Sequence, residues 1–201
     1  MSFFRVWLKA NAADKALATL RYELVELLDD HSCVLDVGCG TGDLLFKAAS
    51  KIRNGVGVDL DADLIAYAHK QTSCKGVTNL IFEQSDILNI TTTNFDVATS
   101  TLCIHELDKQ KACAVLLHMA HTSKRLLIAD YASPKSVLSR IGIELDEMIS
   151  GHYGQFTRYR RSGRIPAYAQ LCGLEVVQAI QSSVDGIVIW ELKGKSQHAN
   201  D

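Results

Sequence analysis

Apolar residues along this chain follow two alternating spacings, and the alternation predicts a strand–helix repeat. Short runs dominated by valine, leucine, isoleucine and phenylalanine fall at residues 34–37, 55–60, 77–83, 95–102 and 125–131. Each has the length of a strand buried on both faces. Between them, residues 41–51, 61–75 and 108–120 carry apolar positions three and four apart. In the second of these, Leu64, Ile65 and Ala68 form the stripe. In the third it is Ala112, Val115, Leu116, Met119 and Ala120. That period belongs to a helix with one face against the strands.

Ahead of the first strand, residues 11–30 read as an amphipathic helix with Leu17, Leu20, Leu24, Leu27 and Leu28 on one face. Asn11, followed by Asp14, resembles its N-terminal cap. Beyond the fifth strand the pattern loosens over residues 133–166. A further helix is predicted at 165–173, and two strands at 174–181 and 187–192 join through the turn pair Asp185-Gly186. From Lys193 on, a frayed tail is expected.

Strands and helices at this spacing wind a parallel sheet through right-handed crossovers. The expected fold class is therefore α/β: a Rossmann-like, doubly wound, mostly parallel seven-stranded sheet with a C-terminal antiparallel hairpin. Ligands of such sheets sit beyond the carboxyl ends of the strands. Asp36 to Gly42, Asp59, Asp86, Ser100 to Glu106 and Tyr131 all fall at strand ends and should share one crevice.

Length and composition narrow the class. A chain of 201 residues is read as one domain, with a helical cap over 1–31 and a substrate-side insertion over about 132–166. The 21 Lys and Arg against 23 Asp and Glu give a net charge of −2, so no nucleic-acid partner is expected. The six cysteines include no C-x-x-C pair, which predicts reduced thiols in a cytoplasmic protein. No apolar run approaches a membrane span, and the start of the chain, interrupted by Arg5, is too short for a signal peptide.

The densest chemistry lies in Val34-Leu-Asp-Val-Gly-Cys-Gly-Thr-Gly-Asp43, a strand with one acid running into three alternate glycines. Glycine tolerates positive φ and lets a ligand approach the backbone. The N–H groups opening the next helix are free to receive polar ligand atoms. This stretch resembles the first motif of class I S-adenosylmethionine (SAM)-dependent methyltransferases nearly residue for residue. A dinucleotide turn would read G-x-G-x-x-G, one residue longer.

The resemblance implies SAM as cofactor, with S-adenosylhomocysteine as product, and a small-molecule acceptor. Asp36, Gly38, Cys39, Gly40, Thr41 and Gly42 would hold the methionine end, with Arg21 and Tyr22 as further contacts to its carboxylate. Asp59 would accept from the ribose hydroxyls, Leu60 would pack on adenine, and Asp86 with Ile87 would meet the adenine edge. Ser100 and Thr101 would lie along the methionine portion. His105, titrating near neutrality, is either a general base or a strand-end histidine that shapes the pocket, with Glu106 as an orienting or helix-leading acid and Tyr131 beside it.

Residues 152–161 look like the aromatic segment of ubiquinone- and menaquinone-type methyltransferases. They nominate His152, Tyr153, Phe156 and Tyr159, with His105, for the acceptor, and an interleaved arginine for an anionic group on it. The chain has only Pro134 and Pro166, so it lacks the Pro-Pro-aromatic tetrad of adenine-N6 and glutamine methyltransferases. It also has His121-Thr-Ser-Lys124 where most relatives carry a Pro-Gly-Gly turn. His118 and His121 lack accompanying ligands, and no metal site is expected. Two other readings remain: a SAM- or nucleoside-binding regulator without catalysis, and an NAD-dependent dehydrogenase with an atypical turn.

Overall fold

The computed structural model describes residue 15 and residues 17–194, except residue 152 and the side chains of residues 146 and 150. The expected cap at Asn11 and Asp14, the tail beyond residue 194 and the acceptor candidate His152 lie outside the described residues.

Strands β1 (Cys33–Val37), β2 (Asn54–Asp59), β3 (Leu80–Gln84), β4 (Phe95–Thr101), β5 (Ser123–Tyr131), β6 (Leu174–Gln181) and β7 (Ile187–Gly194) build one sheet in the order β3-β2-β1-β4-β5-β7-β6. β1 to β5 are parallel, and β7 runs antiparallel between β5 and β6. Strand order reverses between β1 and β4, which opens a crevice at their carboxyl ends. The expected fold class holds, including the C-terminal hairpin. Central positions such as Leu35, Val97, Leu127 and Ile189 are fully buried, each stabilising the sheet by about 1.5–3 kcal/mol.

Helices α1 (Ala18–Glu26), α2 (Asp43–Ala48), α3 (Ala62–Lys75), α4 (Lys109–Thr122), α5 (Val137–Ser150), α6 (Tyr153–Arg161) and α7 (Arg164–Leu171) complete the fold. α3 starts where the Asp61 carboxylate accepts from the N–H groups of Asp63 and Leu64, as an N-cap acid does.

Two boundaries differ from the sequence pattern for identifiable reasons. Val77 closes α3 instead of opening β3: its N–H reaches back to Thr72 across the left-handed Gly76. β5 begins two residues early because α4 runs into it with no turn, and the Ser123 hydroxyl donates to the Met119 carbonyl at 2.6 Å.

The region after β5 folds back over the sheet end. Tyr159 on α6 is fully buried and donates its hydroxyl to the Tyr131 carbonyl at 3.1 Å. α5 turns Glu147 inward and leaves Leu138, Ile141, Leu145 and Ile149 exposed. Its start is tied to the β6–β7 turn, where both Asp185 oxygens accept, at 2.9 Å, from the N–H groups of Lys135 and Ser136.

Gly42 combines a φ of 78° with a site where a Cβ would lie 2.5 Å from the Phe82 ring. Gly42→Ala should therefore cost about 1–3 kcal/mol of unfolding free energy. Gly76→Ala, also left-handed but facing open space, should cost only about 1 kcal/mol. Urea unfolding of both variants checks this, and equal losses would contradict the packing argument.

Candidate active site

The turn after β1 is held by its neighbour. Gly38 and Cys39 both donate their N–H groups to the Val58 carbonyl, at 2.9 and 3.1 Å. Gly38 has positive φ, and a Cβ on it would lie 2.7 Å from the Cys103 sulfur. Gly40, also at positive φ, has nothing within 4 Å of where its Cβ would be. Its N–H donates to Asp59 Oδ2 at 2.8 Å, while Asp59 Oδ1 accepts from the Asp61 N–H at 2.9 Å. One carboxylate thus ties the turn to the end of β2, and each oxygen keeps a further lone pair for a ligand donor.

These groups line a cavity of about 450 Å³. The turn and Asp59 to Asp61 form one wall, and Ser85 to Ile87 with Thr101 to Cys103 form the other. Asp36, Arg21, Glu106 and Lys111 also face it. Asp36 is buried, and burial pushes its carboxyl up to about 6. A 2.8 Å hydrogen bond from Thr99 and the charge of Arg21 work against that rise. Arg21 in turn bonds Asp43 at 2.9 Å. At the far end Lys111 donates to Asp86 at 2.6 Å and holds its carboxyl below the usual range.

The nominated residues divide into two groups. Asp36, Gly38, Cys39, Gly40, Thr41, Asp59, Leu60, Asp86, Ile87, Thr101 and Glu106 meet around this cavity. Gly42 stands behind the turn against Phe82. Ser100 is fully buried and donates to the Val37 carbonyl at 3.0 Å, so its hydroxyl belongs to the sheet and not to the cavity wall. Thr101 is on the wall, and its hydroxyl has no hydrogen-bond partner among the described residues. Burial pushes the Cys39 thiol far up, which keeps it unreactive. Tyr22 is exposed, with Lys47 5.4 Å from its ring centre.

His105 is 1% exposed and lies off the cavity wall. Its Nδ1 is 2.6 Å from Asp130 and its Nε2 is 3.2 Å from Glu147. Rings of Tyr131, Phe156 and Tyr159 enclose it at 4.7, 6.2 and 6.1 Å between centres. Burial alone would lower its pKa, but the two carboxylates outweigh burial and lift it to about 10. Both ring nitrogens are thus engaged and the charged form is favoured, which leaves no free lone pair on His105 facing the cavity. Tyr131, Phe156 and Tyr159 pack around this charge and are likewise buried, while Tyr153 stays partly exposed at the edge of the group.

Lys111, Asp130 and Glu147 escaped the sequence reading. Asp130 alone carried a signal, as an acid inside the buried run Leu126-Leu-Ile-Ala-Asp130, where an unpaired charge would be prohibitively costly. No group of three metal-ligating side chains occurs among the described residues, and His118 bonds the Ile90 carbonyl at 2.9 Å. No helix among them is long and apolar enough to cross a membrane.

Comparisons with known proteins agree with this architecture. A family model described as a methyltransferase domain matches residues 28–162. YcgJ of Bacillus subtilis, an uncharacterized methyltransferase, is 26% identical over 120 residues, 58% of this chain and 45% of YcgJ. The match thus spans about half the length of that relative. The solved YcgJ structure has a TM-score of 0.62 at 21% identity, covering 80% of this chain and 70% of YcgJ. A SAM-dependent methyltransferase from Aquifex aeolicus gives 0.65 at 16% identity, covering 96% of this chain and 98% of that one. The O-methyltransferase NcsB1 of neocarzinostatin biosynthesis, solved with SAM and 2-hydroxy-5-methyl naphthoic acid, gives 0.66 at 18% identity. It covers 96% of this chain and 61% of that one. At such identities these structures speak to the fold.

The His105 cluster has a pH signature. Its folded pKa, about 10, exceeds the ordinary 6.5, so its stabilisation is complete below about pH 6.5 and drains away as pH rises toward 10. His105→Gln, which leaves two buried carboxylates uncompensated, should cost about 3–5 kcal/mol at the acidic end. That cost should shrink as pH rises. Guanidinium unfolding across this range checks it, and a pH-independent difference would contradict the charge assignment.

Proposed function

This chain belongs to the methyltransferase-domain family, and from that membership we propose that it transfers the methyl group of SAM to a small-molecule acceptor, releasing S-adenosylhomocysteine. One observation carries the reading: Gly40 and Asp59 line one cavity, with the Gly40 N–H donating to Asp59 Oδ2 at 2.8 Å. A turn suited to the amino-acid end of a nucleoside and an acid suited to its sugar thus share one hollow. The reading covers residues 1–201 as one domain, with α1 as the helical cap and α5 and α6 on the acceptor side.

In this reading Arg21 pairs with the methionine carboxylate and Asp59 accepts from the ribose hydroxyls. Leu60, Asp86 and Ile87 form the adenine end, where Lys111 holds the Asp86 carboxylate in place. Thr101 brings a hydroxyl with no hydrogen-bond partner among the described residues. Bound SAM supplies a methyl carbon already activated by its sulfonium, so the chain's main work is alignment and exclusion of water. Such positioning is worth up to about 7–11 kcal/mol in well-oriented systems. His105 takes no proton in this scheme. With SAM bound, the cavity would hold the acceptor atom in line with the methyl carbon, and Glu106, exposed where it lines the cavity, would face solvent for any proton the acceptor carries.

A SAM-binding regulator without turnover remains the second reading, favoured by the same engagement of His105. Calorimetry and labelled methyl transfer decide between them. SAM should bind, and Asp59→Ala should weaken it by about 1–3 kcal/mol; unchanged affinity would remove the ribose assignment. Labelled methyl should then appear on a member of a panel of phenols, quinols and amines. SAM binding with no transfer to any of them would favour the regulator, and NAD binding without SAM binding would overturn both.

A further inference from the structure

A second cavity, of about 330 Å³, lies beyond the end of β5 and shares no lining residue with the first. Ala132 to Pro134 form its floor, and α5, α6 and the start of α7 form its sides. Three arginines face it, Arg140 from α5, Arg160 from α6 and Arg164 from α7, against one acid, Glu144.

The charges do not cancel. Glu144 is taken up by an ion pair with Arg160 and a hydrogen bond from the Tyr153 side chain, which together hold its carboxyl below the usual range against the opposing effect of burial. Arg160 is further fixed with its guanidinium 5.5 Å from the Phe156 ring centre. Among the described residues, neither Arg140 nor Arg164 stands within ion-pair distance of an acid, although the charge of Arg140 also helps lower the Glu144 carboxyl. Three guanidinium groups from different helices thus face one carboxylate in one hollow, which leaves its described lining net positive.

Arg164 adds an independent sign. It adopts a φ of 62°, a left-handed conformation that few residues other than glycine take. Strain of that kind persists where the surroundings impose it, and it clusters at ligand-binding positions. Here it falls on a residue that lines the cavity. Guanidinium groups make paired, charge-assisted hydrogen bonds to planar or tetrahedral oxyanions.

We propose that this cavity is a binding site for an oxyanion, a carboxylate or a phosphate carried by a small molecule. It lies beyond the carboxyl end of β5, at the end of the sheet where the first cavity opens, and Phe156, which packs on His105, lines it. The inference stands on the arginine geometry and does not require that SAM occupy the first cavity.

Two probes distinguish the sources of the oxyanion, inorganic phosphate and benzoate, each titrated into the full-length chain by calorimetry with benzamide as the uncharged control. At least one anion should bind, benzamide should not, and added salt should weaken the binding. Arg140→Gln and Arg164→Gly should each lower that affinity about tenfold. The glycine relieves the left-handed backbone, so the Arg164→Gly melting temperature should hold or rise, which separates lost binding from lost folding. SAM affinity, measured on the same samples, should not change in either variant. Failure of both anions to bind, or equal binding by wild type and both variants, would overturn the proposal. Failure of SAM to bind would count against the methyltransferase reading alone.

Discussion

The bond from Gly40 to Asp59 is the constraint on which the crevice depends. A glycine-rich turn is a flexible piece of chain, and fixing it costs entropy at every residue. Here the cost is met by β2: the Val58 carbonyl takes two N–H groups of the turn and the Asp59 carboxylate takes a third. The turn therefore holds its shape only because β2 lies beside β1 in register, Val37 opposite Val58. Once it is held, α2 must leave in a fixed direction, and the crevice takes its width from the strand-order reversal between β1 and β4. A local motif and the sheet topology are the same fact seen at two scales.

The other organising feature is electrostatic. Asp130 at the end of β5, His105 after β4 and Glu147 on α5 bring a cation and two acids together in a place that water does not reach. Removing such groups from water is expensive, and only close pairing offsets it. The pairing also has a geometric effect. Glu147 ties α5 to the sheet end, and Phe156 and Tyr159 pack around the charge to exclude water. The segment after β5 thereby lines the second cavity, which offers arginines. The first cavity, lined by none of that segment, offers the glycine turn and acids suited to a nucleoside.

Much of this could be read directly from the order of the residues. The strands at 34–37, 55–60 and 95–102, the helix between Asp61 and Gly76, and the Asp185-Gly186 turn were all legible, because each depends on neighbours a few positions away. Glycine spacing and the acids at strand ends were equally local signals, and the parallel topology follows from helices long enough to cross the sheet. Val77 was misread because an apolar residue serves a helix end as readily as a strand start. Ser100 was misread because adjacent residues on a strand face opposite ways, and only the register of β1 against β4 says which one meets the crevice.

His105 marks where local reading ends. As a histidine at a strand end it has the chemistry of a base, and nothing within ten residues of it says otherwise. What decides its state is Asp130, which is 25 positions away, and Glu147, which is farther still. Titration depends on the field of whatever lies within a few ångströms, and chain order carries no record of those distances. The amino-acid sequence by itself determined the alternation of elements, the turn and the family it belongs to. Tertiary packing alone decided which side chains share a cavity, which charge is buried, and where three arginines from separate helices come to face one hollow.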